Sequence, residues 1–239
     1  MSDFETVTFG SNNAVAHVLP GSSDTHGAII CLQEWWGVND GVRAHARKLR
    51  DDLGVTLLIP DLYRGALGVD VEEAHHLMSN LDWGRAATEI CEAAEYLRRE
   101  RGAKRVGVIG FCMGGALTLI AGAKADVDCV APFYGIPGQD ACDVASIKIP
   151  VQGHFGMKDN LKGFSDPEAA AKLGEKLVGS DQTIYMYEDV GHAFMNVSPE
   201  PYPDFEAREK TQGFPPPNEA MVSLAWKRVE EFFRKYLSA

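Results

Sequence analysis

Gly110-Phe111-Cys112-Met113-Gly114-Gly115 is the sharpest chemical signal in the chain. An apolar run, Arg105 to Ile109, precedes it, and an Ala- and Leu-rich helical stretch, Met113 to Ala125, follows. A nucleophile elbow has this form, with cysteine where serine is usual. Glycines at 110 and 114 leave room for a tight turn that lifts Cys112 clear of the sheet. A helix N-terminus beneath the sulfur offers free N–H groups and positive dipole, which favour a thiolate and can hold an oxyanion. The competing reading is a buried core cysteine in a glycine-rich turn.

A nucleophilic thiol needs a base, and the base needs an orienting carboxylate. His192, in Gly191-His192-Ala193-Phe194, falls after the strand predicted at Thr183 to Tyr187. Asp159 falls after the strand predicted at Val151 to Phe155. The order nucleophile, acid, histidine is that of α/β-hydrolase triads. His154 lies inside a predicted strand, while His17, His26 and His45 have no such setting. Asp166 competes with Asp159, but Asp166-Pro167-Glu168 also reads as a helix start with Asp166 as its cap.

Strands and helices must alternate to place these residues, and the patterns do so. Phe4 to Phe9 and Ala14 to Leu19 predict an antiparallel edge pair. Gly27 to Leu32 and Val55 to Ile59 are continuous apolar runs, as in strands buried on both faces. Val42, Ala46, Leu49 and Leu53 mark a helix face capped by Asn39 or Asp40. Trp83 to Leu97 predicts a long helix opened by Asp82, Val127 to Tyr134 a further strand, and Met221 to Tyr236 the last helix. The expected fold is α/β, a mostly parallel central sheet with helices on both faces, in a single domain over 1–239. Functional residues then belong just after the strands, at their carboxyl ends. Ser198 to Pro217, rich in proline, predicts a surface loop near the site mouth.

Gln33-Glu34-Trp35-Trp36-Gly37-Val38-Asn39, Pro60-Asp61-Leu62-Tyr63, the Cys112 motif and Gly191-His192-Ala193-Phe194 together resemble the dienelactone hydrolase (carboxymethylenebutenolidase) family, in order and over nearly the whole chain. The resemblance implies an α/β-hydrolase fold and a triad of Cys112, His192 and Asp159. It implies that Glu34 contacts the resting thiol. It also implies an oxyanion hole made by the main-chain N–H groups of Trp35 and Met113. The chain departs from the dienelactone-cleaving members where they clamp a substrate carboxylate. The position of one arginine reads Asn196, and Val71 to Asn80 has no arginine at all. Arg64 and Arg85 are near in sequence, but neither matches. A neutral ester or lactone therefore stands beside an acidic one as expected substrate.

Trp35, Trp36, Tyr63, Trp83, Tyr134, Phe155, Phe194 and Asn196 are the candidate pocket residues, with ordinary core as the alternative for the aromatic ones. The expected activity is hydrolysis of a small ester or lactone through a Cys112 thioester. The alternatives are acyl transfer or thioester cleavage by the same residues, or a small-ligand binder without activity. A phosphate loop of the Gly-Lys-Ser/Thr type is absent, and His75-His76 with Glu72 and Glu73 does not match a metal motif, so no cofactor or metal is expected.

Lys and Arg number 23 against 34 Asp and Glu, so the formal charge is −11. That field repels phosphate backbones and anionic membranes, and no apolar run approaches the roughly 20 residues of a membrane span. The partner expected is a small-molecule substrate, not nucleic acid or membrane, and the chain is expected to be a monomer. Met1 to Gly10 lacks the pattern of a secretory signal, and five cysteines without a Cys-x-x-Cys pair suit a reducing compartment. The expected location is cytoplasmic.

Overall fold

The computed structural model describes residues 3–22 and 26–238. Residues 1, 2 and 239 of the predicted 1–239 domain, and 23–25, lie outside the described residues.

Eight strands form one sheet: β1 (Glu5–Phe9), β2 (Ala14–Leu19), β3 (Gly27–Leu32), β4 (Thr56–Pro60), β5 (Arg105–Phe111), β6 (Cys129–Phe133), β7 (Val151–Gly156) and β8 (Gln182–Tyr187). Their order across the sheet is β1-β2-β4-β3-β5-β6-β7-β8. β1 pairs with β2, and β2 with β4, antiparallel; all other pairs are parallel. This is the expected mostly parallel sheet with an antiparallel edge. β3, β6 and β7 are buried at every residue; the unbroken apolar run of β3 predicts this, whereas β7 also buries the polar Gln152 and His154.

Side chains alternate between two cores, following the period of two along a strand. Ala28, Ile30, Leu32, Val106 and Val108 join one core with Ala86, Ile90 and Leu97 of α3 (Trp83–Glu100), Leu117 and Ile120 of α4 (Met113–Lys124) and Leu173 of α5 (Pro167–Lys176). Ile29, Cys31, Ile109 and Phe111 join the other with Val42 and Leu49 of α1 (Asp40–Leu53) and Ala225 and Val229 of α7 (Glu219–Leu237). Asn39 Oδ1 accepts from the Val42 N–H at 3.1 Å, which selects Asn39 over Asp40 as the cap of α1. No helix among the described residues is long and apolar enough to cross a membrane.

Two local expectations are corrected. The proline-rich segment contains a helix, α6 (Phe205–Gln212). Asp204 caps it, accepting from the Ala207 N–H at 2.8 Å, and Gly213 at φ 71° ends it. The cap, first-turn Glu206 and terminal glycine are ordinary helix signals, hidden among flanking prolines. Asp166 stands at the start of α5, but its side chain makes no cap bond there. Its Oδ1 accepts from the Gly163 N–H at 2.6 Å and tightens the preceding loop. The remaining helix, α2 (Val71–Ser79), carries His75 and His76 on exposed positions, and no cluster of metal-ligating side chains occurs among the described residues.

Candidate active site

β5 ends at Phe111, and Cys112 takes φ 53° and ψ −116° before α4 begins. This conformation is strained for a residue with a side chain, and such strain collects at functional sites. The glycines flanking it are needed for space. A Cβ at Gly110 would stand 2.2 Å from the Gly114 carbonyl oxygen, and one at Gly114 would stand 2.6 Å from the Gln33 carbonyl oxygen. Cys112 occupies the cap position of α4 but caps nothing with its side chain, so the sulfur faces elsewhere.

It faces His192, whose Nε2 lies 3.1 Å from Cys112 Sγ. His192 Nδ1 lies 2.9 Å from Asp159 Oδ2, and Asp159 Oδ1 accepts from the Leu161 N–H at 3.0 Å. Asp159, not Asp166, is the acid at the ring. Both His192 and Asp159 are buried. Burial pulls the imidazole pKa down, but charge on the Cys112 sulfur and the bonds to Asp159 and Cys112 outweigh it and push it up to about 10. A thiol in this setting can pass its proton to the ring. Sequence reasoning missed Ser165, fully buried, whose Oγ is 3.1 Å from His192 Nδ1. Its only sequence signal is its position just before Asp166.

Glu34 follows β3 and is buried. Tyr134 Oη donates to its Oε1 at 3.2 Å, and Asn196 Nδ2 donates to its Oε2 at 2.8 Å. Burial raises its carboxyl pKa, opposed by the Asn196 bond, the His192 charge, the Tyr134 bond and the Arg208 charge. Tyr134 itself sits at φ 35° and Ala193, beside His192, at φ 56°, so strained backbone surrounds the site on three sides of the sequence.

A cavity of about 590 Å³ joins these groups, lined by Glu34, Trp35, Cys112, Met113, His192 and Asn196 among others. Trp36 and Trp83 line it as expected of pocket residues. Tyr63, Tyr134, Phe155 and Phe194 do not; all four are buried behind its wall. They lie near strand ends or in the loops that follow, as expected, but their side chains turn into the core. Tyr63 donates to Met113 Sδ at 3.3 Å, and Phe194 packs on Tyr134 with ring centroids 5.4 Å apart. Leu161, Phe164 and Phe214 add apolar wall that sequence did not indicate. Met113 is the first residue of α4, so its N–H has no acceptor within the helix. Arg64 and Arg85 are both spent on the buried Glu89 and leave the cavity without either guanidinium.

The dienelactone hydrolase family model matches residues 14–237. The chain belongs to the dienelactone hydrolase family. A putative carboxymethylenebutenolidase of Aquifex aeolicus is 29% identical over 224 residues, covering 88% of each chain. The carboxymethylenebutenolidase of Pseudomonas putida is 29% identical over 187 residues, covering 73% of this chain and 77% of the relative. Among solved structures, a putative dienelactone hydrolase from Klebsiella pneumoniae superposes with a TM-score of 0.76 at 21% identity, over 98% of both chains. A dienelactone hydrolase-like promiscuous phosphotriesterase from metagenomic libraries gives 0.80 at 19% identity, over 99% of this chain and 98% of the other. This dienelactone hydrolase-family chain is therefore a hydrolase with the α/β-hydrolase fold.

Proposed function

We propose that the protein hydrolyses a small carboxylic ester or lactone through a cysteine nucleophile, within one α/β-hydrolase domain. The observation that carries this reading is the 3.1 Å approach of His192 Nε2 to Cys112 Sγ at the head of α4, on the wall of the cavity.

The thiol proton passes to His192, and the sulfur attacks the substrate carbonyl carbon. The carbonyl oxygen takes up the electron pair. The main-chain N–H groups of Met113 and Trp35 receive that charge, preorganised and partly shielded from water. The tetrahedral adduct collapses, the carbon–oxygen bond breaks, and His192 returns a proton to the departing alkoxide. A lactone opens without losing its alcohol portion; an ester releases it. The acyl group now sits on Cys112 as a thioester. His192 takes a proton from water, the hydroxide attacks the thioester, and the thiolate leaves with the free acid. Asp159 holds the ring in the tautomer that points Nε2 at sulfur and stabilises its charged form. Glu34, on the wall of the same cavity, accepts hydrogen bonds from Tyr134 and Asn196, and its burial raises its carboxyl pKa.

A panel of neutral and acidic aryl esters and small lactones tests the reading. The wild type is expected to cleave members of it, and Cys112→Ala to lose several orders of magnitude in rate. A wild type inert on all of them, or an alanine variant with half the wild-type rate, contradicts it.

A further inference from the structure

Two aromatic rings of the cavity wall stand directly against the His192 imidazole. The ring centroids of Phe214 and Phe164 lie 4.9 Å and 6.1 Å from that of His192, and both residues line the cavity. Each ring is fixed through the residues beside it. Before Phe164, the Gly163 N–H donates to Asp166 Oδ1 at 2.6 Å, and after it Ser165 Oγ lies 3.1 Å from His192 Nδ1. Before Phe214, the Gly213 N–H donates to the Glu209 carbonyl at 2.7 Å, and after it the Pro215 carbonyl accepts from Arg208 Nη2 at 3.0 Å. Pro215 also packs on the His192 loop, for a Cβ at Gly191 would stand 2.7 Å from its Cδ.

The part of a substrate that meets these rings follows from the reaction. His192 Nε2, 3.1 Å from Cys112 Sγ, returns the proton to the departing oxygen. That transfer needs the oxygen within about 3 Å of Nε2. The carbonyl oxygen turns instead to the main-chain donors at the head of α4. The group carried by the departing oxygen therefore starts beside the imidazole, and the surface it meets next is that of Phe164 and Phe214. Aromatic rings pair well with centroids roughly 4.5–7 Å apart, edge to face or offset. The two buried charges of the wall, Glu34 and Arg208, attract one another and so offset each other. Neither is left over to hold a charge on the departing group, which suits an uncharged one.

We propose that Phe164 and Phe214 form a leaving-group subsite for an uncharged aromatic alcohol portion, so that the preferred substrates are esters of phenols or arylmethanols. This rests on the hydrolase reading above and narrows its substrate class. Phe164 belongs to the loop between β7 and α5 that also carries Asp159 and Ser165, and Phe214 follows α6 directly. The segments that orient the proton donor thus also shape the surface that selects the departing group.

Two pairs of esters test it. One pair carries the ring on the alcohol: benzyl butyrate against ethyl butyrate, whose alcohols are similar in acidity. The other carries it on the acyl side: ethyl phenylacetate against ethyl butyrate. The reading is each aromatic-to-aliphatic ratio of kcat/KM in wild type, Phe164→Leu and Phe214→Leu. Burial of one ring predicts a benzyl preference of at least about tenfold in wild type. Leucine keeps apolar bulk but removes the ring pairing. The benzyl ratio is therefore expected to fall about 3- to 10-fold in either variant, and the phenylacetate ratio to fall less. Ligand-detected NMR titration of N-benzylbutyramide and N-ethylbutyramide into Cys112→Ala protein reads the subsite without acylation. The benzyl amide is expected to bind more tightly, and to lose part of that advantage when Phe164→Leu is added. If Phe214→Leu does not fold, Phe164→Leu gives both readings. Esters cleaved with an unchanged benzyl ratio in the folded variants, or with a fall confined to the phenylacetate ratio, would overturn the subsite alone. A wild type that cleaves no ester, with benzyl amide binding weakened by Phe164→Leu, would overturn the hydrolase reading and keep the aromatic subsite.

Discussion

Asn196 Nδ2 donates a 2.8 Å hydrogen bond to Glu34 Oε2 across 162 residues of chain. The residue that stands where a clamp arginine was expected is thus turned toward an acid of the protein itself. Its amide helps hold that acid in a buried place on the wall of the cavity that Cys112 also lines. Asn196→Ala leaves Glu34 Oε2 without this donor. The expected cost is about 1–3 kcal/mol of stability at pH 7, the usual penalty for a stranded buried polar group. Denaturant unfolding of the two proteins reads it, and equal midpoints would show that the bond contributes nothing.

Glu34 makes stability depend on pH in a stated direction. Burial raises its carboxyl pKa in the folded chain, so the unfolded chain gives up this proton first as pH rises. Below the ordinary carboxylate value both forms hold the proton, and Glu34 contributes no penalty. Between the unfolded and folded values stability falls with pH, and above the folded value the deficit is constant. Glu34→Gln is therefore expected to raise Tm at pH 7 and to lose that advantage as pH falls toward 4. A Tm difference that is the same at both pH values would contradict the buried, ionised acid.

The imidazole reports on its sulfur partner. Charge on Cys112 is the largest of the influences that raise the His192 pKa. Removing the sulfur with Cys112→Ala should let the ring titrate at a lower pH than in the wild type, where burial then counts for more. Proton resonances of the ring followed from pH 6 upward would show it. An unmoved titration would mean that the two groups do not share charge.

Asp159 and Ser165 both face His192 Nδ1, but they are not equal. A carboxylate orients the ring and stabilises its cation, whereas a hydroxyl only orients it. Asp159→Asn should lower kcat by about three to four orders of magnitude. Ser165→Ala should cost about tenfold or less, the worth of one neutral hydrogen bond. The reverse ranking in steady-state kinetics would reassign the positioning role.

Thiol reactivity separates Cys112 from the other cysteines. Burial pushes Cys31 up to about 12 and raises Cys91, Cys129 and Cys142 as well. Iodoacetamide at neutral pH should label Cys112 well ahead of these four. Peptide mapping that finds even labelling would argue against an activated sulfur.

Much of this architecture is legible in the residues. The unbroken apolar run at Gly27–Leu32 marks a strand buried on both faces, and its burial is complete. The glycines at 110 and 114 mark a turn where a Cβ cannot fit. Chain order alone brings His192 and Asp159 to Cys112. What stayed hidden depends on where side chains turn after leaving the strands. Tyr134 ends a predicted strand and Phe194 lies in the loop after another, yet packing carries their rings inward, and no periodicity records that choice. α6 is short, and the prolines around it mask its cap, so Arg208 could not be placed from sequence. Asn196 invites comparison with what it lacks, but its partner is visible only in three dimensions.

The central claim is a covalent acyl group on one sulfur. Wild-type protein mixed with 4-nitrophenyl acetate, quenched in acid within the first turnovers and mapped by mass spectrometry, tests it most directly. The account predicts one acetyl group on the peptide containing Cys112, formed with a burst of 4-nitrophenol and lost on longer incubation. Turnover of the ester with the acetyl group on another residue, or with no acyl-protein and full activity in Cys112→Ala, would contradict it.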